Sequence, residues 1–358
     1  MQITAAPLSA IGAEWDPLFG PGVQSTRLWF GATTEAALPP GTRAEFLLCR
    51  DAGRPAAILP LLLGPDGRAR GLSTVYTCLY HPLLAPGLPA AAIRHAGAAF
   101  ARYVRRWSLL VLDAMDPEWP PLAPLLTGFG DGGLVARRFA HFGNWYEPVA
   151  GLAWPDYLAA RPGQLRETIR RKVRACDRDG RVRFDVVRSP AGLDAAAAAY
   201  DDIYRRSWKV PEPAPGFTPA LLQRAAAAGI LRMGIMWVGA DAVAAQYWLV
   251  ADGTATVLKL AHDDAWRSLS PGTVLTQHIV RLLLEEGVAA LDFGRGDDGY
   301  KSLWTTHRRP RIGVLLANPY RPSGLVALLR HDAGLILRRR SRTIHHRSVS
   351  FPDAFTPL

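Results

Sequence analysis

The chain has 358 residues, of which 49% are hydrophobic and 20% charged, a balance typical of a soluble globular protein long enough for two domains. No apolar run approaches the roughly 20 residues of a membrane helix, and the first residues lack the basic and apolar regions of a signal peptide. Three scattered cysteines without paired spacing predict neither a disulfide framework nor a metal site. Together these features predict a cytoplasmic protein.

The net charge of +11 is concentrated in two segments. Residues 161–183 carry nine Arg or Lys against three acids, and residues 321–358 carry seven Arg against two Asp. Localised positive charge favours an anionic partner, such as a phosphate-bearing co-substrate, nucleic acid or a membrane surface. Contact of the basic tail with a membrane would put the protein at the inner membrane face. Solvated faces of an arginine-rich protein would give the same pattern.

The first half predicts three consecutive strands, RAEFLLCR, RPAAILPLLL and ARGLSTVY, separated by DAG and GPDG turns. A helix (LPAAAIRHAGAAFARYV), a strand (WSLLVLD), a short helix (PPLAPLL) and a strand (GLVARRF) follow. The join to the second half is predicted near residues 150–162.

The second half begins with a basic helix, RPGQLRETIRRKVRACDRDG. The elements after it have the order β-α-α-β-β-β-α-β-α-β, from the strand RVRFDVVRS to the strand RIGVLLA. Both halves end in helix–strand–helix–strand. This shared ending predicts two copies of one unit.

The start of the helix predicted from Pro271 to Glu286 has the features of an anion-binding site. Ser270 is a suitable N-cap and Pro271 suits the first helical position. The N–H groups of Gly272, Thr273 and Val274 would then point out of the helix, with the positive end of the dipole behind them. The stretch can therefore bind a pyrophosphate, or can simply be a well-capped helix.

The basic helix carries an apolar stripe beside a cationic one. The apolar stripe predicts the face that packs on the domain and consists of Leu165, Ile169, Val173 and Cys176. Arg166, Arg170 and Arg174 recur every four residues next to it and suit a phosphate-bearing acceptor, because Arg binds phosphate bidentately. A solvated helix face explains the stripe equally well.

The stretch LDFGRGDDGYKSLW, residues 291–304, follows a short apolar run. Its aspartates do not match the spacing of a calcium loop, and its glycines lack the last position of a dinucleotide fingerprint. No nucleophile elbow occurs in the chain, and no cysteine has a nearby partner for covalent catalysis.

The order of elements, together with SPGTVL and the later G-x-x-x-L-D-F-G-x-G-D-x-x-Y-K, resembles the GNAT N-acyltransferase superfamily. The combination is similar to its CelD-like acetyltransferase branch, which is related to the Fem-type aminoacyl transferases. The resemblance implies an α/β (α+β) fold of tandem GNAT-like domains, each a mixed, mainly antiparallel sheet flanked by helices. It predicts a degenerate domain over 1–150, an acyltransferase domain over 151–320, and a basic helix and tail over 321–358.

The resemblance also implies roles for particular residues. In GNAT enzymes the loop before this helix holds the acyl-CoA pyrophosphate, and Arg267 to Gly272 occupy that place, with Ser270 where the first glycine is usual. Tyr300 and Lys301 match an aromatic–lysine pair near the reaction centre of Fem-type enzymes. Tyr300 would protonate the leaving thiolate.

Acyl transfer to an amine needs a base, an oxyanion donor and an acid. Asp292 or His262 is the predicted base, and Lys301 would steady the oxyanion. Asp297 would act as a base or fix the loop by pairing with Arg295 or Lys301. Asp292 can equally be a loop-capping carboxylate, and His262 a polar neighbour.

The resulting expectation is transfer of an acyl group, most simply acetyl, from acetyl-CoA or another acyl-CoA to an amine or sugar hydroxyl in a ternary complex, without a metal. The acceptor, a small molecule, glycan or peptide, would lie between the domains near Trp208, Tyr247 and the arginine stripe, although both aromatics can be core residues. One alternative is a Fem-like transferase that uses aminoacyl-tRNA. Its usual coiled-coil insertion is missing here. Another is a non-catalytic GNAT-like protein that binds polyanions.

Overall fold

The computed structural model of the chain describes residues 1–65 and 68–344, with side chains up to residue 334. Within these residues thirteen strands form one sheet. The strands are β1 (Gln2–Ala6), β2 (Arg43–Asp51), β3 (Arg54–Leu63), β4 (Arg68–Gly71), β5 (Leu83–Leu84), β6 (Leu109–Met115), β7 (Val135–Pro148), β8 (Val182–Val187), β9 (Leu231–Val238), β10 (Asp241–Ala251), β11 (Thr254–His262), β12 (Ala290–Arg295) and β13 (His307–Ala317). The helices are α1 (Arg27–Ala36), α2 (Ala90–Val104), α3 (Leu122–Asp131), α4 (Trp154–Ala159), α5 (Gly163–Asp179), α6 (Leu193–Arg206), α7 (Phe217–Ala227), α8 (Pro271–Glu285), α9 (Lys301–Trp304) and α10 (Pro322–Ile344).

The sheet is mixed and mainly antiparallel, in the order β1-β2-β3-β4-β6-β13-β7-β12-β11-β10-β9-β8, with β5 beside β3. Its two halves have matching connections. The parallel pair β4–β6 in the first half corresponds to the parallel pair β11–β12 in the second. The last strand of each half crosses over, so that β7 pairs with β12 and β13 pairs with β6. β7 and β13 also pair with each other, which joins both halves into one sheet.

The predicted fold class, a mainly antiparallel sheet flanked by helices, is confirmed. The order β-α-α-β-β-β-α-β-α-β is found from β8 to β13. The third strand of the first half is shorter than predicted, because β4 ends at Gly71 and the chain then leaves the sheet through Val75 and Tyr76. Because the sheet is continuous, the domain boundaries after residues 150 and 320 stay predictions.

The core lies on both faces of the sheet. β3 and β10 are covered on both sides. Their sequences are therefore nearly continuous apolar runs, without the alternation of apolar and polar residues of a half-exposed strand. The basic helix α5 buries Leu165, Ile169 and Cys176 as its apolar stripe predicted, and ends at Gly180, whose φ of 67° suits glycine. None of the helices in the described part of the chain is long and apolar enough to span a membrane.

Candidate active site

A cavity of about 740 Å³ lies where the two halves of the sheet meet. The second half supplies most of its wall: β10 and β11, the start of α8, the loop between β12 and α9, and the loop between α6 and α7. The first half contributes Val75, Tyr76 and Cys78. Of the fifteen residues predicted for the site, nine line this cavity: His262, Arg267, Ser270, Gly272, Thr273, Tyr300, Lys301, Trp208 and Tyr247.

The wall of the cavity is strongly cationic. Five basic side chains line it against one acid, Asp298, and they are Lys209, Lys259, Arg267, Arg295 and Lys301. Arg267 is exposed and makes no ion pair within the described residues. Burial lowers the pKa of Lys209, and the neighbouring Lys259 ammonium lowers it further. This surplus of positive charge suits an anionic ligand.

Fewer backbone N–H groups are free at the start of α8 than the sequence predicts. Ser270 is the N-cap but lies in the left-handed region at φ 51°, and its side chain makes no capping bond. Its carbonyl oxygen instead accepts from the N–H groups of Thr273, at 3.0 Å, and Val274, at 3.1 Å. The prediction of three free N–H groups is therefore wrong. Val274 lies in the core outside the cavity, which leaves Gly272 to offer its N–H to a ligand.

Gly272 also makes room for His262. A Cβ atom at Gly272 would meet the Cδ2 of His262 at 3.0 Å, so the glycine lets the imidazole lie against the first turn of α8. The Nδ1 of His262 is buried and its nearest carboxylate oxygen, on Asp264, is 3.6 Å away. The ring of Trp208 lies 4.3 Å from the imidazole, centroid to centroid. Burial lowers the pKa of His262 below its ordinary 6.5, so the ring is neutral and can accept a proton at neutral pH.

Tyr300 lies beside the start of α8 as well, in a hydrogen-bonded group with Thr276 and Gln246. The Oη of Tyr300 is 2.6 Å from the Oγ1 of Thr276, which also donates to the carbonyl oxygen of Gly272 at 2.8 Å. Thr276 Oγ1 is 3.3 Å from Gln246 Oε1, while Gln246 Nε2 is buried without a partner among the described residues. Burial raises the pKa of Tyr300 well above 10, so its phenol stays protonated.

Lys301 lines the cavity but is engaged by its own loop. Its Nζ lies 3.2 Å from the Oδ2 of Asp298 and donates to the carbonyl oxygens of Arg295 and Gly296. An ammonium group has three hydrogens, and these three acceptors use them. The geometry therefore fits a residue that closes the loop between β12 and α9 better than a donor to an oxyanion.

Asp292 lies outside the cavity, in the centre of the sheet. Its Oδ1 accepts from the Nδ2 of Asn144 and the N–H of Gly294, both at 2.7 Å. Its Oδ2 pairs with Arg309 at 2.7 Å. These contacts join β7, β12 and β13, as expected of a structural carboxylate. Its predicted role as base finds no support in this arrangement, since both oxygens are occupied away from the cavity.

Asp292→Asn is expected to lower the free energy of unfolding by about 1–3 kcal/mol, because the amide leaves the Arg309 guanidinium without its carboxylate. Activity per folded molecule should change little. Urea unfolding and kinetics test both statements. Asp177→Asn is the matched control, because Asp177 is an exposed aspartate of α5 without an ion pair among the described residues, and it should stay within about 0.5 kcal/mol. A folded Asp292→Asn protein without activity would restore the base assignment.

Asp297 also has a different partner from the predicted ones. Its carboxylate pairs with Arg308 through two hydrogen bonds, at 2.6 and 2.8 Å, and accepts from the Nε1 of Trp145 at 3.0 Å. The Arg308 guanidinium holds the pKa of Asp297 below its ordinary value. Asp297 does not line the cavity and pairs with neither Arg295 nor Lys301, so the predicted pairing is wrong. The prediction considered only charged residues within the loop, whereas Arg308 lies on the next strand, β13.

The predicted substrate residues separate into two groups. Trp208 is 55% exposed at the mouth of the cavity, whereas Tyr247 is fully buried with its Oη 3.2 Å from the Oγ1 of Thr218. The stripe of Arg166, Arg170 and Arg174 is exposed on α5 and does not line the cavity. Arg170 pairs instead with Glu167 at 2.7 Å. The arginine stripe is therefore separate from this cavity, and the position of the acceptor stays a prediction.

Sequence reasoning missed a cluster that joins the two halves at the cavity wall. Glu212, in the loop between α6 and α7, pairs with Lys259 of β11 at 2.6 Å. The Oη of Tyr76, in the first half, donates to the other oxygen of Glu212 at 2.8 Å. Thr276 and Gln246 were missed as well. Both lie in apolar runs of the sequence and are therefore predicted to be core residues. Only the structure shows that they share a hydrogen-bonded group with Tyr300.

Comparisons with known proteins agree with this fold. Residues 163–302 match the family model of the acetyltransferase (GNAT) domain. The structure of FemX is similar at a TM-score of 0.61 and 10% identity, covering 88% of this chain and 97% of that one. The C-terminal domain (DUF2156) of a putative lysylphosphatidylglycerol synthetase from Agrobacterium fabrum has a TM-score of 0.53 at 14% identity, covering 81% of this chain and 87% of that one. No curated protein matches the chain. Over residues 163–302 the chain is therefore similar to the GNAT acetyltransferase domain, in agreement with the sequence resemblance, and both solved structures share its fold.

Proposed function

We propose that the chain is an acyltransferase of the CelD-like branch that moves an acyl group, most simply acetyl, from acyl-CoA to an amine or hydroxyl group. Transfer is direct, in a ternary complex, and the acceptor is a small molecule, glycan or peptide. One observation supports this proposal above the others. A protonated tyrosine and a neutral histidine, Tyr300 and His262, both line one cationic cavity beside the start of α8.

The residues around the start of α8 fit an acyl-CoA. Arg267, the N–H of Gly272 and the side chains of Ser270 and Thr273 would hold its pyrophosphate at the positive end of the helix dipole. The unpartnered Nε2 of Gln246 offers a donor to a carbonyl oxygen. The bound co-substrate would supply an activated thioester acyl group.

The chain's own groups divide the proton transfers. His262 accepts the proton of the attacking amine or hydroxyl, because its imidazole is neutral at neutral pH. Tyr300 holds a proton at Oη that can pass to the leaving sulfur, and Thr276 fixes the direction of the phenol. Trp208 covers the mouth of the cavity beside His262 and helps to exclude water.

Arg267→Ala is expected to weaken acyl-CoA binding about tenfold, the effect of losing a charge-assisted hydrogen bond to phosphate. Calorimetric titration with acetyl-CoA, longer acyl-CoAs and CoA measures this. Arg166→Ala is the matched control, because it removes an exposed arginine outside the cavity, and it should bind as the unaltered protein does.

A second pair of variants tests the position of the ligand rather than its charge. Gly272→Trp fills the first turn of α8 and should abolish acyl-CoA binding, whereas Gly130→Trp adds the same side chain at an exposed position in α3 with open space around it. If no CoA species binds while aminoacyl-tRNA does, the donor assignment is wrong and the Fem-like alternative replaces it. If polyanions bind without any acyl transfer, the chain is a binding protein.

A further inference from the structure

A second cluster of positive charge is formed by residues that do not line the candidate active site. The end of α2 and the turn between β13 and α10 enclose a surface cavity of about 530 Å³. Arg102, Arg105, Arg106 and Arg321 line it, and no acidic residue does. Within the described residues Arg102, Arg105 and Arg321 pair with no carboxylate, and Arg106 reaches only Glu45, at 3.7 Å. The cluster therefore keeps most of its charge available.

The turn that holds this cluster is well fixed. The Nδ2 of Asn318 donates to the carbonyl oxygen of Arg105 at 2.7 Å, and the Oδ1 of Asn318 accepts from the N–H of Tyr320 at 3.0 Å. Arg106 stacks on the rings of Tyr103 and Trp107. The arginines are thus presented by a folded corner rather than by a loose tail.

Large exposed apolar side chains lie beside the arginines. Eight such side chains occur in the described part of the chain, and half of them fall within residues 320–329: Tyr320 (89% exposed), Leu325 (47%), Val326 (45%) and Leu329 (61%). The last three recur at helical spacing on one side of α10. A concentration of this kind on a protein surface marks a site of interaction.

The orientation of α10 is set by contacts on its other side. Leu328 is buried, and a Cβ at Gly324 would meet the carbonyl oxygen of Asn318 at 2.1 Å, so the helix lies directly on the chain there. Arg137 of β7 pairs with Asp332 at 2.8 Å. The exposed side of α10 is therefore held outwards by the fold and is not free to turn inwards.

We propose that this surface docks on a bilayer containing anionic phospholipid. We call it the α10 face and define it as Arg102, Arg105, Arg106, Arg321, Tyr320, Leu325, Val326 and Leu329. Unpaired arginines attract lipid phosphates, while the adjacent aliphatic and aromatic side chains enter the boundary between headgroups and acyl chains.

The combination of side chains selects a membrane over other partners. A nucleic acid would use the arginines but would leave the aliphatic side chains of α10 in water. A second copy of the chain would bury the apolar residues but would bring like charges together. Of these three partners, only an anionic bilayer uses both the arginines and the apolar side chains of the α10 face. This docking does not depend on which acyl donor the active site uses.

Co-sedimentation of the full chain with vesicles tests the proposal. Phosphatidylcholine vesicles with phosphatidylglycerol should bind it, and high salt should weaken the binding. Phosphatidylcholine alone should bind at least about tenfold less, because the attraction of each surface arginine to anionic headgroups is lost. Leu325→Glu with Leu329→Glu, and separately Arg102→Gln with Arg105→Gln, should each lower the binding constant about tenfold or more. All four positions are exposed, so the variants should fold, which circular dichroism checks.

Matched controls separate the α10 face from general charge and hydrophobicity. Arg166→Gln with Arg170→Gln removes two exposed arginines from α5, and Leu152→Glu alters an exposed leucine elsewhere. Both should bind vesicles as the unaltered chain does. Equal binding to both kinds of vesicle, or equal loss in the α5 variant, would overturn the proposal. So would a dimer in light scattering that the Leu325 and Leu329 variant dissociates, or RNA binding that this variant retains.

Discussion

Tyr300→Phe is expected to lower kcat about 100- to 1,000-fold, within the usual contribution of a positioned general acid, while the KM for acyl-CoA stays nearly constant. The phenol of Tyr300 keeps its proton because burial raises its pKa well above 10. Phenylalanine fills the same space, so the change removes the proton and little else. The loss should appear in the chemical step rather than in binding.

Release of the CoA thiol measures this effect, with an acceptor found by screening amines and hydroxyl compounds. Tyr320→Phe is the matched control, because Tyr320 is exposed and outside the cavity, and it should have full activity. Thr276→Val removes the hydrogen-bond partner of Tyr300 Oη and should cost about tenfold in kcat, less than loss of the phenol itself. An unchanged kcat in Tyr300→Phe would exclude Tyr300 as the acid.

His262→Gln is expected to have the second large effect, a fall in kcat/KM of about 100-fold or more at neutral pH. Glutamine keeps a polar side chain against Gly272 but cannot accept a proton as imidazole does. The lost activity should not return on raising the pH within the neutral range. His278→Gln is a control, because that histidine stacks on Phe184 and does not line the cavity.

The dependence of kcat/KM on pH tests whether His262 is the base. A base must be unprotonated, so kcat/KM should fall as the pH drops through the pKa of His262 in the free protein. Burial places this pKa below 6.5, and the Asp264 carboxylate opposes the shift while the Lys209 ammonium adds to it. Lys209→Met should therefore move the acidic limb to higher pH, and Asp264→Asn should move it to lower pH. A limb that survives unchanged in His262→Gln would point to another base.

The two carboxylates show where local pattern fails to assign chemistry. Asp292 and Asp297 flank a glycine turn after a strand, where catalytic carboxylates are common. In the structure Asp292 is bound by Asn144 from 148 residues away, and Asp297 by Trp145 from 152 residues away. These partners come from β7, which reaches the second half only because the last strands of the two halves cross. A partner supplied by crossed strands leaves no signal near the carboxylates in the sequence.

The glycine and the tyrosine were predictable because their signals are local. Gly272 follows a proline at the predicted start of a helix, and Tyr300 begins a short helix after a glycine turn. Both positions line the cavity. The basic stripe on α5 was also predicted correctly as a stripe, but periodicity defines only which residues share a face and not what that face meets.

The sequence by itself determined the order of strands and helices from β8 to β13, the mainly antiparallel sheet, the GNAT resemblance and the residue at which α8 begins. Periodicity, capping and turn residues act over a few positions, so a single chain contains their full signal. The tertiary structure alone decided that β7 and β13 exchange places, that Glu212 meets Tyr76 across the cavity, and that α10 turns leucines outwards beside the arginines of α2. These features depend on contacts between segments far apart in the chain, whose energies become favourable only after the sheet has brought those segments together.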